Sequence, residues 1–156
     1  MSRVTSILAV ASGAVALLAF GAVAGAGQGG GQVQLCKGKP ATIVGQPGDD
    51  TIEGTPNDDV IAARGGNDTI KSKGGRDLVC GESGRDFIAG GGSADKIAGG
   101  NGGDLLLGGA GDDKLSGQAG DDLLGGEGGR DVCDGGSGDD FAAAASCEKT
   151  RSASEV

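Results

Sequence analysis

Gly108-Gly109-Ala110-Gly111-Asp112-Asp113-Lys114-Leu115-Ser116 is one nine-residue unit, and the way it reads decides the fold. Its first six residues are glycine-rich and end in a carboxylate. Glycine serves where a backbone takes positive φ or passes close to another group, so this half reads as a tight turn with carbonyls pointing inward. The last three residues alternate polar, apolar, polar, which suits a three-residue strand burying only its middle side chain. Outward from this unit the same register runs without insertion or deletion from Gly45 to Ala143. Neighbouring units supply neighbouring strands, so the chain is expected to wind as an all-β parallel solenoid.

Three ladders carry the repeat. Position six is Asp50, Asp59, Asp68, Asp77, Asp86, Asp95, Asp104, Asp113, Asp122, Asp131 and Asp140. Position eight is large and aliphatic from Ile52 through Ile61, Ile70, Val79, Ile88, Ile97, Leu106 and Leu115 to Leu124, then Cys133 and Ala142. Position four is glycine except at Asn57 and Ser93. Position five varies among Asp, Asn, Arg, Ala and Gly, which marks it as exposed and at most accessory. A lone Asp-Asp-Gly is an ordinary solvated turn. Carboxylates in strict phase beside glycine bends instead describe stacked cation sites.

The units are similar to the G-G-x-G-x-D-x-U-x nonapeptide of RTX proteins, in which U is a large aliphatic residue. Gly108 to Leu115 and Gly135 to Asp140 carry the match best. The pattern departs at position one, where Ala63 and Ser72 stand. It departs again at position two, where Gln46, Thr55, Arg64, Lys73, Glu82, Gln118 and Glu127 stand. The resemblance implies a right-handed parallel β-roll with two units per coil and calcium held between the turns of successive coils. Alternate aspartates then share a side, Asp50-Asp68-Asp86-Asp104-Asp122-Asp140 on one and Asp59-Asp77-Asp95-Asp113-Asp131 on the other. One ion between each adjacent pair gives several Ca²⁺, about nine at most. The early units, with weaker turns, are expected to be the less securely occupied.

The donor set agrees with that metal. Carboxylate and backbone carbonyl oxygens suit Ca²⁺, which accepts six to eight of them in irregular geometry, whereas Mg²⁺ demands an octahedron and keeps its waters. Zinc or copper would call for imidazole or thiolate, and the chain has no histidine and only four scattered cysteines. The formal net charge is −9, there is no Trp or Tyr, and the inward ladder makes a thin core. Repulsion among stacked aspartates opposes compaction, and a divalent cation reverses that sign. Calcium binding and folding are therefore expected to be one event.

Other functions fit poorly. Glycine strings resembling dinucleotide fingerprints do not follow a strand and open a helix. The aspartate pairs lack the flanking helices and terminal glutamate of an EF-hand. Without histidine no Ser-His or Cys-His nucleophile exists, so the chain is expected not to be an enzyme. An acidic surface repels phosphate, so nucleic acid is not an expected partner.

The ends tell of export. Met1-Ser2-Arg3 precedes a small, apolar run from Val4 to Phe20, followed by Ala22-Val23-Ala24 and Ala24-Gly25-Ala26 as cleavage candidates. This is the layout of a secretory signal peptide over residues 1–26, with a retained membrane anchor as the alternative. Residues 27–35 read as a flexible linker, 36–44 as an N-terminal cap, 45–143 as the roll, and 144–156 as a C-terminal cap with a short polar tail. Four cysteines in an exported chain suggest two disulfides. Of the three pairings, Cys36–Cys80 and Cys133–Cys147 place one at each end of the roll. The expectation is a secreted, extracellular calcium-binding repeat protein, not membrane-bound after leader cleavage, with no macromolecular partner identified. The alternative is a calcium-stiffened structural or adhesive spacer at a cell surface or matrix. A crystal- or ice-binding face would want matched threonine rows, and position seven offers only Thr51 and Thr69.

Overall fold

The computed structural model describes residues 6–8, 33–143 and 146–152. Among them there is no helix. The strands are β1 (Ser6–Leu8), β2 (Leu35–Cys36), β3 (Lys39–Pro40), β4 (Ile43–Val44), β5 (Thr51–Glu53), β6 (Val60–Ala62), β7 (Thr69–Lys71) and β8 (Leu78–Ser83). They continue as β9 (Phe87–Gly92), β10 (Lys96–Asn101), β11 (Leu105–Ala110), β12 (Lys114–Ala119), β13 (Leu123–Gly128), β14 (Val132–Ser137), β15 (Phe141–Ala142) and β16 (Lys149–Ser152).

Two seven-stranded parallel sheets result, ordered β1-β5-β7-β9-β11-β13-β15 and β16-β14-β12-β10-β8-β6-β4. Successive units therefore alternate between sheets, and within the repeats paired residues lie eighteen positions apart, as Leu106 with Leu124 and Ile97 with Leu115. This is a β-solenoid of two units per coil, as the resemblance implies. The position-eight side chains meet between the sheets: Ile52, Ile61, Ile70, Val79, Ile88, Leu106 and Leu124 are fully buried, and Cys133 and Cys147 close the cluster. Outward neighbours do not join it. Phe87, Leu105, Leu123 and Phe141 line up on the outer face of the first sheet, with Phe141 64% exposed.

Within the repeats, three-residue strands are seen only in the early units; from β8 onward most strands have six residues. There the ladder continues into the turn, pairing Gly100 with Gln118 and Asn101 with Ala119. Pro47 and Pro56 stand at position three of the first two units and have no N–H to offer. That stretch keeps only isolated bridges such as Pro47 to Gly65. Five of the seven position-two departures keep the turn: Arg64, Lys73, Glu82, Gln118 and Glu127 all hold φ between 70° and 83°, whereas Gln46 and Thr55 of the first two units do not take positive φ. The left-handed geometry is kept at the cost of placing a Cβ where glycine is preferred.

Cys36 is bonded to Cys80 and Cys133 to Cys147. The first disulfide does more than fasten an end. The antiparallel hairpin of β2 and β3, turned through Lys37 (φ 48°) and Gly38 (φ 79°), lies against the second sheet's outer face, where Cys36 packs with Ala62, Cys80 and Ala98. Two adjacent positive φ values give the turn a twist that matches the strands it joins. Leu35 thus belongs to this hairpin and not to a linker. At the other end Lys149–Ser152 pairs in parallel with β14, so residues 149–152 extend the sheet instead of forming a free tail. The leader and linker readings fall, apart from Ser6–Leu8 and residues 33–35, outside the described residues. Ser6–Leu8 pairs in parallel with Thr51–Glu53.

Candidate metal centre

The aspartate ladder sits inside the turns, not on their surface. Asp50 through Asp131 in the series are all buried, none more than 7% exposed. From Asp68 onward each carboxylate is fixed by the coil before it. The N–H of Asp50 donates to Asp68 Oδ1 at 2.7 Å, that of Asp77 to Asp95 Oδ1 at 2.8 Å, and that of Asp104 to Asp122 Oδ1 at 2.8 Å. The pattern continues to Asp122 N–H on Asp140 Oδ1 at 3.0 Å. A charge-assisted bond of this kind tethers coil to coil and sets the orientation of the second oxygen.

That second oxygen is the anomaly. Oδ2 of Asp68, Asp77, Asp86, Asp95, Asp104, Asp113, Asp122, Asp131 and Asp140 is buried and has no hydrogen-bond partner. A buried carboxylate oxygen without a partner is expensive, and a row of them is more so. Burial pushes the carboxyls of Asp95 and Asp104 up to about 7 and those of Asp68 and Asp77 up to about 6, with neighbouring aspartates adding to the rise. Burial also raises Asp86, Asp113 and Asp122.

What the orphaned oxygens face is set by position one. A methyl built on Gly90 would lie 2.7 Å from Asp95 Oδ2 and 2.5 Å from the Gly108 carbonyl oxygen. One built on Gly108 would lie 2.8 Å from the Gly126 carbonyl oxygen and against Asp113 Oδ2. Glycine at this position therefore leaves a notch between a carboxylate of one coil and a carbonyl of the next. Oxygen donors converging on a notch are what a hard cation takes, and calcium tolerates the irregular arrangement. No three Asp, Glu, His or Cys side chains cluster as ligands among the described residues. Beyond the carboxylates, the remaining ligands must be backbone carbonyls or water. Asp86, Asp95, Asp104, Asp113, Asp122 and Asp131 would hold calcium in this manner, and calcium would supply the positive charge their second oxygens lack.

The first two units differ. Asp50 Oδ2 accepts the N–H of Gln46 at 2.5 Å, and Asp59 Oδ2 accepts the Thr55 N–H at 2.7 Å and its hydroxyl at 2.9 Å. Position five also proves more than accessory. Its side chains accept N–H groups in the opposite direction, Asp49 from Asn67 at 2.7 Å, Asn67 from Arg85 at 2.8 Å and Asp121 from Asp139 at 2.9 Å. The recurrence of Asp or Asn there was the available signal. Arg76 and Arg130 pair with Asp58 and Asp112 in the exposed positions, where such contacts contribute little. A shallow cleft of about 230 Å³ beside Leu35 and Glu82 contains none of the ladder aspartates.

With this geometry in hand, the comparison with known families is direct. The RTX calcium-binding nonapeptide repeat (4 copies) matches residues 44–79, 73–106 and 107–142, and the chain belongs to this family. It is a calcium-binding repeat protein with the fold that its phase implies. No curated protein and no solved structure matches it.

Proposed function

We propose that this chain is a secreted protein that binds several calcium ions between stacked turns and becomes ordered as it does so. The observation that carries this is the row of buried, unpartnered Oδ2 atoms, which from Asp86 to Asp131 lie against a position-one glycine, in most cases with a carbonyl oxygen of a later turn opposite. A folded state with those oxygens uncompensated is penalised, and a cation that binds only the folded state removes the penalty and adds its own binding free energy. Extracellular calcium modules bind at about 10⁻⁴ to 10⁻³ M, the range in which an exported chain meets its ligand. Two disulfides support an oxidising destination. The leader-like residues 1–26 support the same reading.

The test is circular dichroism of the purified chain in EDTA and in millimolar calcium, with calorimetry of calcium addition. Strand content that rises with calcium, together with heat from several ions, is the expected result. A spectrum indifferent to chelator, or a chain that takes up no calcium, overturns the reading. Mass of the exported product fixes whether residues 1–26 are removed.

A further inference from the structure

Two units differ from the rest at the residue bordering the notch. Where position one is glycine, the notch exists because a side chain is missing, as the collisions at Gly90 and Gly108 show. Ala63 and Ser72 put a side chain there, and both are fully buried. The Ala63 methyl belongs to the central hydrophobic cluster. Ser72 Oγ, beside Asp77, donates to the carbonyl of Gly90 at 2.7 Å, the position-one carbonyl of the next coil.

We propose that Ala63 and Ser72 close the notches of Asp68 and Asp77 to cations, confining calcium uptake to the units from Gly81 onward. The inference rests on the calcium reading above. It makes the first four units a collar without metal, in which only Asp68 and Asp77 keep an unpartnered second oxygen. Asp50 and Asp59 already spend their second oxygens on N–H groups of their own turns. Ser72 supplies with a hydroxyl proton the link between coils that a cation supplies elsewhere. The same stretch carries the Cys36–Cys80 bond and the clasping hairpin, so covalent and hydrogen-bonded contacts hold it together. Calcium-dependent coils would then add onto an end that is already ordered, as stacking in a solenoid allows.

Counting bound calcium per full-length chain by equilibrium dialysis in saturating calcium tests this. The chain itself is compared with Ala63→Gly/Ser72→Gly, which reopens both notches, and with Gly90→Ala and Gly108→Ser, which fill two open ones. The double variant should bind two more ions, and each filled variant at least one fewer. An unchanged count in the folded double variant overturns the closure. If that variant does not fold in calcium, full counts in Gly90→Ala and Gly108→Ser overturn it; if the filled variants are the ones that fail to fold, the double variant decides. A parent chain that binds no calcium sinks the functional reading as well, which separates the two failures.

Discussion

Asp104→Asn removes a charge while leaving the shape and the Oδ1 that accepts the Asp86 N–H. Burial raises this carboxyl from an ordinary 3.8 to about 7. A rise of that size corresponds to about 4 kcal/mol at pH 8, and allowing for screening leaves about 2 kcal/mol of destabilisation in the metal-free fold. The variant should be more stable than the parent by that amount in EDTA. Calcium acts the other way. A site with a dissociation constant of about 10⁻⁴ M adds roughly 1.4 kcal/mol at 1 mM calcium and about 2.7 kcal/mol at 10 mM. The variant's advantage should shrink with each addition and reverse near about 3 mM. Urea unfolding followed by circular dichroism across a calcium series measures it. A fixed concentration of stabilising osmolyte in every sample keeps the metal-free protein folded. A difference between parent and variant that stays constant across the series would refute the claim that Asp104 lines a calcium site.

The remaining predictions follow from the same geometry. Asp68 and Asp77 stand near 6 and Asp95 and Asp104 near 7 in the fold, above their unfolded values, so the folded chain holds more protons between about pH 4 and 7. Stability in EDTA should therefore fall by about 3 kcal/mol or more as pH rises from 5 to 8, and a flat profile counts against burial of these groups. In calcium, protons compete for the same oxygens, so calorimetric affinity should weaken below pH 7. Cys36→Ser/Cys80→Ser releases a loop spanning 44 residues and should lower stability by about 4 kcal/mol in urea melts. Cys133→Ser/Cys147→Ser, spanning 14, should cost about 3 kcal/mol. Gln118→Gly relieves a φ of 83° and should raise stability by up to about 1 kcal/mol in calcium, the loss of left-handed strain exceeding the added chain entropy.

How far the site was legible varies with the kind of interaction. The inward aliphatic row follows from spacing and the metal from its oxygen donors, and with the two units per coil that the resemblance implies, residue n falls beside residue n+18 and the aspartates form two stacks. Departures from glycine at position two suggest weakened turns, yet Arg64 and Glu127 adopt the same φ, because hydrogen bonds along the stack hold each turn to its neighbours. Thr150 to Ser152 look like a polar tail in one dimension. They become a strand because the edge of β14 offers unpaired groups, which short-range composition does not reveal.

By itself the sequence determined the repeat, the solenoid and the chemistry of the ligand, since all three are properties of a period and of residue types. Which of a carboxylate's two oxygens is spent on an N–H, and which is left without a partner, was decided only when coil met coil. Ala63 and Ser72 show this most plainly. As letters they are small departures from glycine, but in the fold both side chains are fully buried, the Ala63 methyl in the hydrophobic cluster and the Ser72 hydroxyl on the carbonyl of Gly90 in the next coil. Excluded volume there is a tertiary fact, and the turn sequence alone does not contain it.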